Sequence, residues 1–101
     1  MPARKLSNIP VVKFRKFISH QLGKAATSAG ANYEEAQGAV SRPDFGNKVG
    51  ISLKEMRESN YWLRILWNLY SGDTKIERLV KESQELKNIL GSINAKVAKK
   101  N

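Results

Sequence analysis

Proline stands at positions 2, 10 and 43 and nowhere else, so everything after Pro43 lacks the residue that most strongly breaks a helix. Three long windows are left in which the backbone can run helically without interruption. In the first, Val11, Phe14, Ile18, Leu22, Ala25, Ala29, Tyr33, Ala36 and Val40 recur every three or four residues, which lays them on one stripe of a helix. Ser7 and Asn8 precede it, and Pro10 suits a first turn. Gly23 and Gly30 each weaken this helix by about 1 kcal/mol relative to alanine. The run Ala25–Ala31 is small enough, in return, for another helix to approach closely.

Ser41-Arg42-Pro43-Asp44 reads as a restart, with Ser41 as cap, Pro43 in the first turn and Asp44 favourable at a helix N-terminus. The second helix has two apolar arcs. Phe45, Val49, Leu53, Met56, Leu63, Trp67 and Tyr70 share one, with Asn60 among them; Ile51, Trp62, Leu66 and Leu69 form the other, with Ile65 at its edge. Arg57 and Arg64 occupy the gap between. A helix apolar on two sides is wedged between partners, either central in a bundle or also an oligomer surface. Ser71-Gly72-Asp73-Thr74 then closes this helix and caps the next, in which Ile76, Leu79, Val80, Leu86, Leu90, Ile93 and Val97 keep the spacing and Ser83 fills one position.

The short junctions at 41–43 and 71–74 imply antiparallel neighbours. The expected fold is therefore all-α, an up-and-down antiparallel bundle of three long helices near 10–40, 42–70 and 74–97, with Trp67 in the core. One helical domain over 10–97 lies between a basic arm, 1–9, and a basic tail, 98–101. A chain of 101 residues is one domain of common size. It holds no cysteine, which excludes disulfides and thiolate metal sites. No stretch reaches the roughly 18 apolar residues of a membrane span, and no apolar signal segment opens the chain, so the cytoplasm is the default compartment.

Charge is segregated. Residues 1–33 carry six basic groups and no acid, residues 34–85 carry eight basic and nine acidic groups, and the remainder adds four lysines, giving segments of +6, −1 and +4 and the net +9. Basic poles around a neutral middle suit a polyphosphate partner, because each neutralised phosphate releases a counterion. Net charge also serves solubility, which is the plainer account. On the first helix Lys13, Lys16, His20 and Lys24 fall on one ridge opposite the apolar stripe, extended by Arg4 and Lys5. Such a ridge can follow a phosphate backbone without reading bases. Lys96, Lys99 and Lys100 form a second contact zone.

Glu55 and Glu58, like Glu82 and Glu85, are carboxylates three residues apart. Di-iron bundles use Glu-x-x-His pairs on facing helices, but the single histidine, His20, lies on the polar ridge. No metal and no cofactor is expected. Ion pairs of Glu55 and Glu58 with a neighbouring helix or subunit are the better reading. No nucleophile–base spacing is visible, so the chain is read as not an enzyme. Trp62 and Trp67 can stack on bases, yet aromatics at helical spacing are more often core.

The segment Gln21–Ala36, then Ser41-Arg42-Pro43-Asp44-Phe45, Lys48, Leu53–Glu58 and Tyr61-Trp62-Leu63, resembles in order and spacing the four-helix-bundle family first noticed in intervening sequences of large-subunit ribosomal RNA genes. Accessory proteins of diversity-generating reverse transcriptases are similar to it. The resemblance spans about residues 10–95. It implies up-and-down bundles, homopentamers and no catalytic activity, and for the accessory branch nucleic-acid binding and docking to a polymerase. Gln21, Ser28, Asn32, Glu35, Glu55 and Glu58 match the family's polar positions, implying structural or subunit-contact roles, which Trp62 and Leu66 on the second arc would share. Family members have a further amphipathic helix before the position of Pro10, where only nine residues stand here. Either the sequence starts late, or a three-helix core exposes a groove that a partner covers.

The expectation is thus a non-enzymatic homo-oligomeric scaffold, five subunits being the first guess, that binds RNA or DNA without sequence preference. The alternative is a protein-interaction module, such as a reverse-transcriptase accessory subunit, whose basic arms only confer solubility.

Overall fold

Three helices follow one another: α1 (Val11–Gln37), α2 (Arg42–Leu69) and α3 (Thr74–Lys100). The computed structural model describes residues 11–100, and no strand occurs among them. The arm over 1–9, the start at Pro10 and the contacts expected of Arg4 and Lys5 lie outside the described residues.

Local chemistry sets each junction. α1 stops at Gln37, short of the expected limit at 40, because the N–H groups of Gly38 and Ala39 donate to the carbonyls of Glu35 and Ala36 at 3.2 and 3.1 Å, tightening the last turn. Val40, assigned by its spacing to the apolar stripe, therefore lies past the helix end and is 95% exposed. The Ser41 hydroxyl accepts the Asp44 N–H at 3.1 Å, and Pro43 sits in the first turn of α2. At its other end the Tyr70 N–H donates to the Leu66 carbonyl at 2.9 Å, and Gly72 turns the chain at φ +94°, where a side chain would be strained. Asp73 Oδ1 then accepts from the N–H groups of Lys75 and Ile76 at 2.9 and 3.1 Å, capping α3. α3 runs past 97 to Lys100, through residues read as tail, since Ala98 and Lys99 favour helix and neither glycine nor proline intervenes.

α2 packs against both neighbours, whereas α1 and α3 hardly touch each other. The result is an elongated slab of 51 × 25 × 20 Å, and it accounts for the two apolar arcs of α2. Ala36 of α1, Val49 and Leu53 of α2 and Leu90 of α3 form the central cluster, with Phe45, Met56 and Ile93 packed on it. Buried Ala25 and Ala29 let α2 come close, so that Ser52 Oγ donates to the Ala29 carbonyl at 2.7 Å. α3 approaches as closely at the other seam, where a Cβ on Gly46 would stand 2.8 Å from Val97 Cγ1. Asn60 and Ser83, the polar interruptions in two apolar patterns, meet there: Asn60 Nδ2 donates to Ser83 Oγ at 2.9 Å and to the Val80 carbonyl at 3.4 Å.

Trp67 does not belong to the core. It was expected there because it shares an arc with Met56 and Leu63, yet it is 37% exposed. Val49, Leu53 and Leu63 of the same arc are buried, so the arc is covered along the helix and opens only at Trp67, in the last turn of α2.

Candidate nucleic-acid interface

Lys13, Lys16, His20 and Lys24 are all exposed along α1, on the side away from buried Ile18, Ala25 and Ala29. At 1.5 Å per residue the row from Lys13 to Lys24 is about 16 Å long, the reach of a few successive phosphates. Lys96 is exposed too, but at the opposite end of the slab. α3 ends beside the start of α2, so Lys96 and Val97 line a shallow pocket with Ser41, Arg42 and Phe45. The fold thus pairs Lys96 with Arg42, a residue the sequence offered only as part of a helix restart. The antiparallel topology was the signal that could have found it. Lys99 and Lys100 fall in the last turn of α3. The two basic zones do not come together on one subunit.

The polar positions gather along the crevice between α1 and α2. Gln21, Lys24, Ala25, Ser28, Glu55 and Glu58 line a space of about 270 Å³. One turn further, Asn32 Nδ2 donates to the Ser28 carbonyl at 2.9 Å and to its hydroxyl at 3.3 Å. Glu35 then meets Lys48 of α2 at 3.3 Å, a solvent-exposed pair worth at most about 1 kcal/mol. Glu55 and Glu58 do not form the expected ion pairs with a neighbouring helix: the salt bridges among the described residues are Lys48–Glu35 and Lys81–Glu77. Lys24, the cation that lines the crevice, stays in solvent, and Glu58 instead accepts the indole N–H of Trp62 at 3.4 Å. Trp62 is half-buried with its ring against Phe17, and Leu66 is buried.

A third feature lies between α1 and α3. Tyr33 of α1, Met56 of α2 and Leu86 and Ile89 of α3 line an apolar groove of about 370 Å³. No three histidine, cysteine, aspartate or glutamate side chains converge as a metal set among the described residues. None of the described helices is long and apolar enough to cross a membrane.

Fold and surface together define an all-α helical bundle with a basic face. The chain belongs to the 23S rRNA-intervening sequence protein family, whose profile matches residues 7–92. Among solved structures, it is similar to a protein of unknown function from the S23 ribosomal protein family of Bacteroides thetaiotaomicron. The two are 41% identical with a TM-score of 0.69, over 76% of this chain and 72% of that one. No curated protein matches.

Proposed function

We propose that this chain is a non-enzymatic scaffold that self-associates and binds RNA or DNA through the phosphate backbone, without reading sequence. The observation that carries the reading is the exposed row Lys13, Lys16, Lys24 on a helix whose acids come only at Glu34 and Glu35, beyond the row. Phosphate contacts made by such a row supply affinity and carry no base information. Self-association is supported by the groove, because large apolar side chains left open between α1 and α3 are stabilised by a partner that covers them. Lys96 with Arg42 supplies a second, remote contact zone that an oligomer can bring close to a neighbour's ridge. The cytoplasm is the compartment this reading assigns. The same groove also favours the second reading, a protein-interaction module such as a polymerase accessory subunit.

The test is a Lys13→Glu, Lys16→Glu, Lys24→Glu triple variant whose helicity is verified by circular dichroism. At about 150 mM salt it should bind RNA and duplex DNA at least tenfold more weakly than the parent, equally for unrelated sequences, with the log–log salt slope flattened by about 1 per lost contact. Parental binding by the folded variant would reduce the ridge to a solvated face.

A further inference from the structure

Phe17 is out of place on a basic ridge. It stands four residues after Lys13 and seven before Lys24, in one row of α1, and it is 53% exposed. Its ring meets that of Trp62 of α2 in a T-shaped pair, the ring centroids 5.9 Å apart and the planes at 85°. Trp62 meets Tyr61 in turn at 5.1 Å and 68°, and Tyr61 is 49% exposed. Three aromatic rings thus make a continuous strip from α1 across to α2. The indole N–H of the middle ring donates to Glu58, while the outer two side chains are about half exposed.

Cations flank the strip at both ends. Lys13 and Lys24 lie along α1; Arg57 and Arg64 stand four residues before and three after Tyr61 on α2, all of them exposed. The Arg64 guanidinium is 6.0 Å from the centroid of the Tyr61 ring. The acids beside the strip are Glu55 and Glu58, both half-buried in the α1–α2 crevice. An apolar protein surface would have to seat itself among four exposed cations. A polyanion whose units also carry flat π faces matches the charge and the rings together.

We propose that Phe17, Trp62 and Tyr61 form a stacking platform for unpaired bases, so that the ligand of this basic face is single-stranded nucleic acid. The inference rests on the nucleic-acid reading above and narrows it, because a duplex keeps its base faces stacked inside whereas a single strand can offer them. Stacking accepts any base, so the binding stays indifferent to sequence.

A Trp67→Phe background leaves Trp62 as the only tryptophan and its emission as a local reporter. This protein is titrated with a mixed-sequence single-stranded RNA, the corresponding RNA duplex and linear polyphosphate. The strand should quench Trp62 and bind about tenfold more tightly than the other two. Phe17→Leu and Tyr61→Leu, which keep apolar bulk and remove the ring, should each erase most of that preference and leave polyphosphate binding unchanged. If the strand binds no better than polyphosphate and Trp62 emission does not move, the platform is wrong. Weakened binding of all three ligands by the lysine triple variant would then still uphold the backbone reading, and no weakening would end both. Trp62 emission that follows protein concentration but not the strand would overturn the proposal in favour of a second copy covering the strip.

Discussion

Among single residues, Asn60 has the most at stake. It is 1% exposed, and its amide spans the α2–α3 seam: Nδ2 donates to Ser83 Oγ and Val80 O, while Oδ1 accepts from Arg64 Nε at 2.9 Å. Ser83 Oγ donates onward to the Val80 carbonyl at 2.9 Å. No polar side-chain atom buried among the described residues is left without a partner. Truncating one member of such a pair strands the other, which costs more than the bond itself contributes. Asn60→Ala should lower stability by about 2–3 kcal/mol, the lost bonds and the small cavity together. Asn60→Leu combined with Ser83→Ala should recover at least half of that loss, since neither polar group then remains. Urea midpoints of Asn60→Leu alone, Ser83→Ala alone and the double variant measure the coupling directly. Additive losses would mean that the two residues act separately. Spacing alone showed these residues as two unrelated exceptions, in α2 and in α3. That they satisfy each other depends on the register in which the helices pack, and no local pattern encodes it.

At the scale of a helix, the glycines separate propensity from packing. A Cβ on Gly23 or Gly30 meets nothing within 4 Å, whereas one on Gly46 runs into Val97 at 2.8 Å. Gly23→Ala should therefore stabilise the fold by up to about 1 kcal/mol, through the ordinary helix preference of alanine. Gly46→Ala should be destabilising by about 1–2 kcal/mol despite the same preference, and Val97→Ala should relieve most of the clash. Thermal melts at low protein concentration compare all of these, and a stabilised Gly46→Ala would show that the α2–α3 seam is looser than described. The helix ends are the part of this structure most legible beforehand, because a cap is a matter of a few adjacent atoms. Ser41, Pro43, Gly72 and Asp73 announce their roles by residue type, and removing the Ser41 hydroxyl should cost about 1 kcal/mol. The end of α1 was not legible in the same way. Val40 keeps the apolar spacing, but the turn at Gly38 and Ala39 had already released the chain from the helix.

Across the whole molecule, the decisive fact is that α1 and α3 both lean on α2 and hardly on each other. The two apolar arcs of α2 announced a central helix, but which side chains end up covered depends on how far apart its neighbours stand. That separation opens the groove lined by Tyr33, Met56, Leu86 and Ile89. It also makes shape and ligand binding one question. A monomer carries a single ridge of three lysines, and Lys96 lies at the far end of a 51 Å slab. Several copies joined through their grooves would present several ridges to one strand, and the second engagement would then be governed by effective concentration. Leu86→Lys with Ile89→Lys should break that assembly while leaving helicity intact, because both side chains are already exposed and contribute little to their own subunit's fold. Sedimentation at micromolar concentrations should show a multimer for the parent and a monomer for the variant. The variant gains two positive charges, so simple electrostatics would tighten its hold on RNA. If avidity matters more, it should instead bind RNA at least about tenfold more weakly than the parent, although no lysine of the ridge has been touched. Tighter binding by a demonstrably monomeric variant would show that one ridge suffices and that the groove serves a different partner.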